Sequence, residues 1–120
     1  MVSYKTVSNG EILIRTFYGK ITIPEIIEIV EQNIIQGKIS SIYKGVVNDY
    51  RSAEVDASID SLNEFSVLFD RHIELFKNLK WVMVMDTPVA AFPILFKMRH
   101  PSYLVNTFSS LEPAIDWINS

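Results

Sequence analysis

The chain contains no cysteine, and that absence removes several chemistries at once. Disulfide staples, thiol nucleophiles and cysteine-based metal sites are excluded, and a reducing cytoplasm fits. Glycine is scarce, at 4 in 120 residues. No Gly-x-Gly-x-x-Gly or other phosphate-cradling loop occurs, and no Gly-x-Ser-x-Gly elbow. Neither charge sign dominates: 11 Lys and Arg against 14 Asp and Glu give a formal net charge of −3. Basic residues are scattered, so the sequence carries no electrostatic footprint for nucleic acid or an anionic membrane. Long apolar runs are also missing. The richest stretch, Trp81 to Phe96, is broken by Asp86, Pro88 and Pro93 and makes a poor membrane span. The segment Met1-Val2-Ser3-Tyr4-Lys5 lacks the apolar core of a signal peptide. Together these absences predict a soluble, cytoplasmic chain.

What is present suits one domain over residues 1–120. Hydrophobic residues make up 48% and charged residues 21%, enough apolar material for a real core. Residues 2–8 and 11–18 read as two strands around Asn9-Gly10, a pair suited to the positive φ angles of a hairpin turn. The second run is apolar on both faces except at Arg15, so it belongs inside the sheet with the first at its edge. Thr22 and Glu25 have capping-box spacing, Pro24 suits a first helical turn, and Ile23, Ile26, Ile27, Val30 and Ile34 form a buried stripe. Residues 42–49 read as a third strand and 56–78 as a helix capped by Asp56. Residues 80–85 form a fourth strand, and a helix follows from Thr87-Pro88 to about Arg99. Residues 102–108 form a fifth strand, before a last helix with a Ser109/Glu112 capping box. The order β-β-α-β-α-β-α-β-α predicts an α/β fold: a mostly parallel five-stranded sheet with an antiparallel first edge strand.

Candidate chemistry gathers at predicted strand ends. Asp49 and Asp86 close the third and fourth strands, where open α/β sheets place ligands. As a pair they would suit acid/base work or a cation; singly, each would cap its turn. Arg51 would bind an anion or a partner's carboxylate, or pair locally with Asp49 or Glu54. Tyr50 would line a pocket or pack its ring. His72 and His100 are far apart and belong to no His-Glu-x-x-His pattern, so no metal and no cofactor are expected.

Trp81, Met83 and Met85 point one way along the fourth strand, and Val82 and Val84 the other. Both sheet faces therefore need cover. If the helices gather on one face, a second subunit, an ordered segment or an apolar ligand must cover the other. A homodimer is the expectation.

Three stretches carry a family resemblance: Val46-Val47-Asn48-Asp49-Tyr50-Arg51, Met85-Asp86-Thr87-Pro88, and Val105 to Ile118 with its pattern Phe-Ser-x-x-Glu-x-Ala-x-x-Trp-Ile. They resemble the SpoIIAA-like, or STAS, domains, which grade into small STAS/SEC14-like bacterial proteins, and the likeness spans nearly the whole chain. It implies sequential strand order and a non-enzymatic role in protein–protein switching. In the antagonist branch a serine at the helix start after the third strand is phosphorylated. Here the Asp-Ser-x-Gly form is not present; Ser52 is the nearest hydroxyl and Ser58 the next. The SEC14-like reading implies a pocket for a lipid or other hydrophobic ligand. Phe92, Leu95, Phe96 and Met98 with Phe65, Phe69, Phe76 and Met83 would line it, or simply form core. The expected contact site is Asp49, Tyr50, Arg51 and Ser52 with Asp86 and Thr87, and Ser52 is the candidate phosphoacceptor. An enzyme using Asp49 and Asp86 is the remaining alternative.

Overall fold

The computed structural model describes residues 1–56, 61–85 and 91–120, with side chains described among these except at 61 and 91–93. Among the described residues ten elements follow one another: β1 (Val2–Val7), β2 (Ile12–Thr22), α1 (Ile23–Ile35), β3 (Gly45–Asp56), α2 (Ser61–Arg71), α3 (Ile73–Phe76), β4 (Lys80–Val84), α4 (Ala91–Arg99), β5 (Val105–Phe108) and α5 (Leu111–Asn119). The sheet runs β1-β2-β3-β4-β5 in sequence order. β1 pairs antiparallel with β2, and every other neighbour is parallel. This is the α/β architecture expected from the alternation of strand and helix patterns.

Local chemistry explains the joints. Ser8, Asn9 and Gly10 all take positive φ, so the hairpin turn begins one residue before the Asn-Gly pair. Thr22 ends β2 and caps α1: the Glu25 N–H donates to Thr22 Oγ1 at 3.3 Å, and the Thr22 N–H to Glu25 Oε1 at 3.2 Å. The helix expected over 56–78 is two helices, with His72 between them at φ −115° and ψ 40°. Its Nε2 meets Glu31 Oε2 at 2.8 Å, tying that break to α1. The last helix is capped by Ser110, not Ser109, and without a side-chain bond. Asp56, expected as a helix cap, is the final residue of β3.

Two packed layers flank the sheet. On one face, Leu13, Phe17, Val46, Trp81 and Met83 meet Ile26 and Val30 of α1, Phe65 and Phe69 of α2, Phe76 of α3 and Phe96 of α4. On the other, Ile12, Ile14, Val47, Val82 and Val84 pack beneath Ala114 and Ile118 of α5. The second face is thus covered by an ordered segment of the same chain. The bare face that motivated a homodimer is absent here. Lys80 secures this cover, donating from Nζ to the carbonyls of Trp117 and Ile118 at 2.9 and 3.2 Å and lying over the Trp117 ring. Close approach at Gly45 seats it: a Cβ there would fall 2.8 Å from Ile118 Cδ1.

Arg15 lies at the centre of the first layer with 0% exposure. Its Nε donates to Asn48 Oδ1 at 2.9 Å, its Nη2 donates to the same oxygen, and its Nη1 donates to Asn33 Oδ1 at 3.0 Å. The guanidinium carbon stands 5.1 and 5.2 Å from the Phe17 and Trp81 ring centres. Asn33 Nδ2 continues the network to the Tyr4 hydroxyl at 2.9 Å, and Asn48 Nδ2 to the Val82 carbonyl at 3.0 Å. Burial pulls the Arg15 pKa down to about 10, against the influence of Tyr50 and Tyr4, so the group stays charged at neutral pH.

Gly45→Ala is expected to cost about 1–3 kcal/mol through overpacking, and the same substitution should cost less in an Ile118→Ala background. Chemical denaturation of the two single variants and the double variant measures both effects. Asn48→Leu should cost about 3 kcal/mol or more, because it strands the Arg15 charge. Adding Arg15→Met should restore stability, a sign reversal that simple cavity effects would not produce.

Candidate functional site

Beyond Asp49 the third strand does not stop. Pairing of β3 with β4 ends at Asp49↔Val84, whereas pairing with β2 resumes at Tyr18↔Ser52 and runs to Thr22↔Asp56. Between Thr16↔Asp49 and Tyr18↔Ser52 the third strand holds one extra residue, a β-bulge. Just beyond it on β2, Gly19, paired with Ala53, takes a φ of +79° that other residues rarely adopt. Bulge and glycine together carry residues 18–22 and 52–56 past β4 as a two-stranded ribbon.

The Asp-x-Arg pattern builds that bulge. The Arg51 N–H donates to Asp49 Oδ1 at 3.0 Å, its Nε to the same oxygen at 3.0 Å, and its Nη2 to Oδ2 at 2.9 Å. A two-pronged guanidinium–carboxylate contact of this kind fixes geometry as well as charge. Burial works against ionisation of Asp49. The Arg51 side-chain bonds, its backbone N–H and its positive charge prevail and hold the carboxyl below its usual range. A low-pKa carboxylate tied up in three bonds is a poor general base at neutral pH.

The expected contact residues therefore divide. Asp49 and Tyr50 are buried, both 5% exposed. Tyr50 stacks on Phe17 with ring centres 4.8 Å apart, and burial pushes its hydroxyl up to about 12 against the pull of Arg15. It is core. Arg51 and Ser52 are exposed, but inside a strand and not at a strand-to-helix connection as expected. Asp86 and Thr87 lie outside the described residues, as does Ser58.

Residues not expected in this role complete the surface. A groove of about 440 Å³ at the ribbon tip is lined by Lys20, Ile21, Thr22, Glu25, Glu54, Val55 and Asp56. Exposed Ser52, Glu54 and Asp56 alternate with half-buried Ala53 and Val55. That period of two was the available sequence signal for strand, masked by the turn-like Asp-Tyr-Arg-Ser before it. Elsewhere, His100 Nε2 meets Ser66 Oγ at 2.6 Å, and Tyr103 donates to Asp70 Oδ1 at 2.6 Å. Among the described residues no group of three or more His, Cys, Asp or Glu could hold a metal ion. No helix there is long and apolar enough to cross a membrane.

A sequential five-stranded sheet with one antiparallel edge and helices on both faces is the SpoIIAA-like fold, and the chain has it. Solved structures share it end to end. An anti-sigma factor antagonist from Mycobacterium paratuberculosis superposes with a TM-score of 0.62 at 13% identity, covering 100% of this chain and 96% of the other. A protein with a SpoIIAA-like fold from Shewanella loihica gives 0.61 at 13% identity, covering 98% and 92%. The anti-sigma factor antagonist SpoIIAA in its unphosphorylated form gives 0.53 at 13%, covering 100% and 99%. No protein-family model and no curated protein matches the sequence.

Ionised Asp49 favours the folded state, and its folded pKa is depressed. Its contribution is complete above the unfolded carboxylate pKa of about 3.9 and is lost as pH falls through the lower folded value. Asp49→Asn should cost about 1 kcal/mol at pH 7, since the Arg51 side chain is 40% exposed and screened by water. The variant should also lose less stability than wild type between pH 5 and about pH 2. Urea unfolding across that range measures both, and parallel wild-type and variant curves would refute the clasp.

Proposed function

We propose that this chain is a non-enzymatic regulatory or protein-interaction domain that receives a protein partner on the ribbon formed by residues 18–22 and 52–56. The observation that carries the reading is the ribbon itself, built by a bulge and carried beyond the sheet with exposed Arg51, Ser52, Glu54 and Asp56. One face of that extra length, Ile21, Ala53 and Val55, packs on the core, and the other presents side chains to another molecule. Structural neighbours named anti-sigma factor antagonists support a regulatory role, and one of them, SpoIIAA, is solved in a phosphorylated form. Ser52 is the exposed hydroxyl where a phosphate would change this surface. It would add about two negative charges beside Glu54.

The alternatives draw less support. Phe65, Phe69, Phe76 and Phe96 pack against one another, with Phe69 and Phe76 stacked at 3.9 Å, so these rings fill the space a hydrophobic ligand would need. Phe92 lies outside the described side chains. Catalysis by Asp49 and Asp86 would require a carboxylate that Arg51 already holds. A homodimer stays a separate proposal, read by light scattering at high concentration.

The test is affinity capture from the chain's own cells. Wild type and a Lys5→Ala control should retain the same partner, and Ser52→Glu with Glu54→Arg should retain at least about tenfold less. Equal capture by the ribbon variant would overturn the assignment of the surface. A small molecule released in native mass spectrometry would favour the ligand reading instead.

A further inference from the structure

A strand paired on one side only exposes a row of backbone N–H and C=O groups along the other. From Ser52 to Asp56, β3 pairs with β2 and with no other described residue. At about 3.3 Å per residue this edge is roughly 16 Å long, the span of a short sheet strand. Its two faces differ. Ser52, Glu54 and Asp56 share the face that holds Tyr18, Lys20 and Thr22, by register. Ala53 and Val55 lie on the opposite face and pack against the main core with Ile21.

We propose that this edge takes up an extended segment of a partner protein, which adds a strand to the sheet beside residues 52–56. The inference rests on the regulatory reading above and specifies how its partner is held. Main-chain hydrogen bonds supply affinity in such pairings, and alternate side chains supply selectivity. The charge pattern names the partner. Among the described residues lining the groove at the ribbon tip, Glu25, Glu54 and Asp56 face one cation, Lys20. A complementary segment alternates Lys or Arg, beside Glu54 and Asp56, with Val, Ile or Thr, beside Ala53 and Val55. A second copy of this chain is the wrong partner. Antiparallel self-pairing centred on Glu54 sets the two Glu54 side chains against each other, and any register brings two acidic tips together. The same acids that keep copies apart select a basic strand.

The probe is the synthetic peptide acetyl-Thr-Lys-Val-Lys-Val-Lys-Thr-amide, added to the isotopically labelled full chain and followed by NMR. Saturable shifts are expected at residues 20–22 and 51–56. Glu54→Lys with Asp56→Lys should weaken binding at least tenfold, and a peptide with Glu in place of Lys should not bind. Two further peptides, N-methylated on alternate residues, separate backbone from side-chain recognition: one frame should abolish binding and the other preserve it. Shifts centred on other elements, equal binding by both methylated frames, or no saturation at millimolar peptide would overturn the proposal. Concentration-dependent dimerisation through residues 52–56 would overturn it in favour of self-pairing. Peptide binding without partner capture from cells would sink the regulatory reading and leave the edge assignment intact. Partner capture without peptide binding would do the reverse.

Discussion

A cation with no carboxylate beside it among the described residues sits at the centre of this protein. The Arg15 guanidinium is held by two amide oxygens, from Asn33 and Asn48, and by the faces of Phe17 and Trp81. An isolated charge in an apolar interior is unfavourable by several kcal/mol unless its donors are met. These contacts join β2 to α1, β3 and β4, and Tyr4 extends them to β1. A one-residue slip between β2 and β3 would swing the Asn48 amide to the opposite sheet face. Register across four strands and the seating of α1 are thus set by one polar requirement inside an otherwise apolar layer.

The ribbon follows from a second polar device, at the point where the first loses reach. Asp49 directly follows Asn48 in the chain but serves the opposite purpose. Asn48 locks the strand into the sheet, while Asp49 and Arg51 release it by folding one extra residue out of the ladder. Pairing with β4 stops there and pairing with β2 continues. A bond between two residues of a single strand therefore helps to position the surface proposed for a partner.

Most of the architecture was legible in the sequence because it rests on local signals. The Thr22/Glu25 box, the alternation along Trp81 to Met85 and the isoleucine stripe of α1 each state their element without reference to the rest of the chain. Asp49 through Asp56 was not legible in the same way. Asp, Arg and Ser in succession are turn chemistry, and only the presence of β2 alongside makes the stretch a strand. Arg15 read as a lone interruption in an apolar run, since its partners lie 18 and 33 residues away. The cover on the second face stayed open between a second subunit, an ordered segment and an apolar ligand for a related reason. Right-handed crossovers account for the helices between strands, but α5 follows the last strand and obeys no crossover rule, so it is free to settle on the side the others leave open.

That position gives α5 a place in time as well as in space. Ile12, Ile14, Val47, Val82 and Val84 are all made before Ala114 and Ile118, the residues that shelter them. Synthesis at about 5–20 residues per second leaves a nascent sheet complete on one side and bare on the other until α5 clears the ribosome. A chain stalled after β5 would hold all five strands and the Arg15 network, yet display a greasy plane to chaperones and proteases. The lysine that clasps α5 at its carbonyl end thus holds in place the last cover the sheet receives.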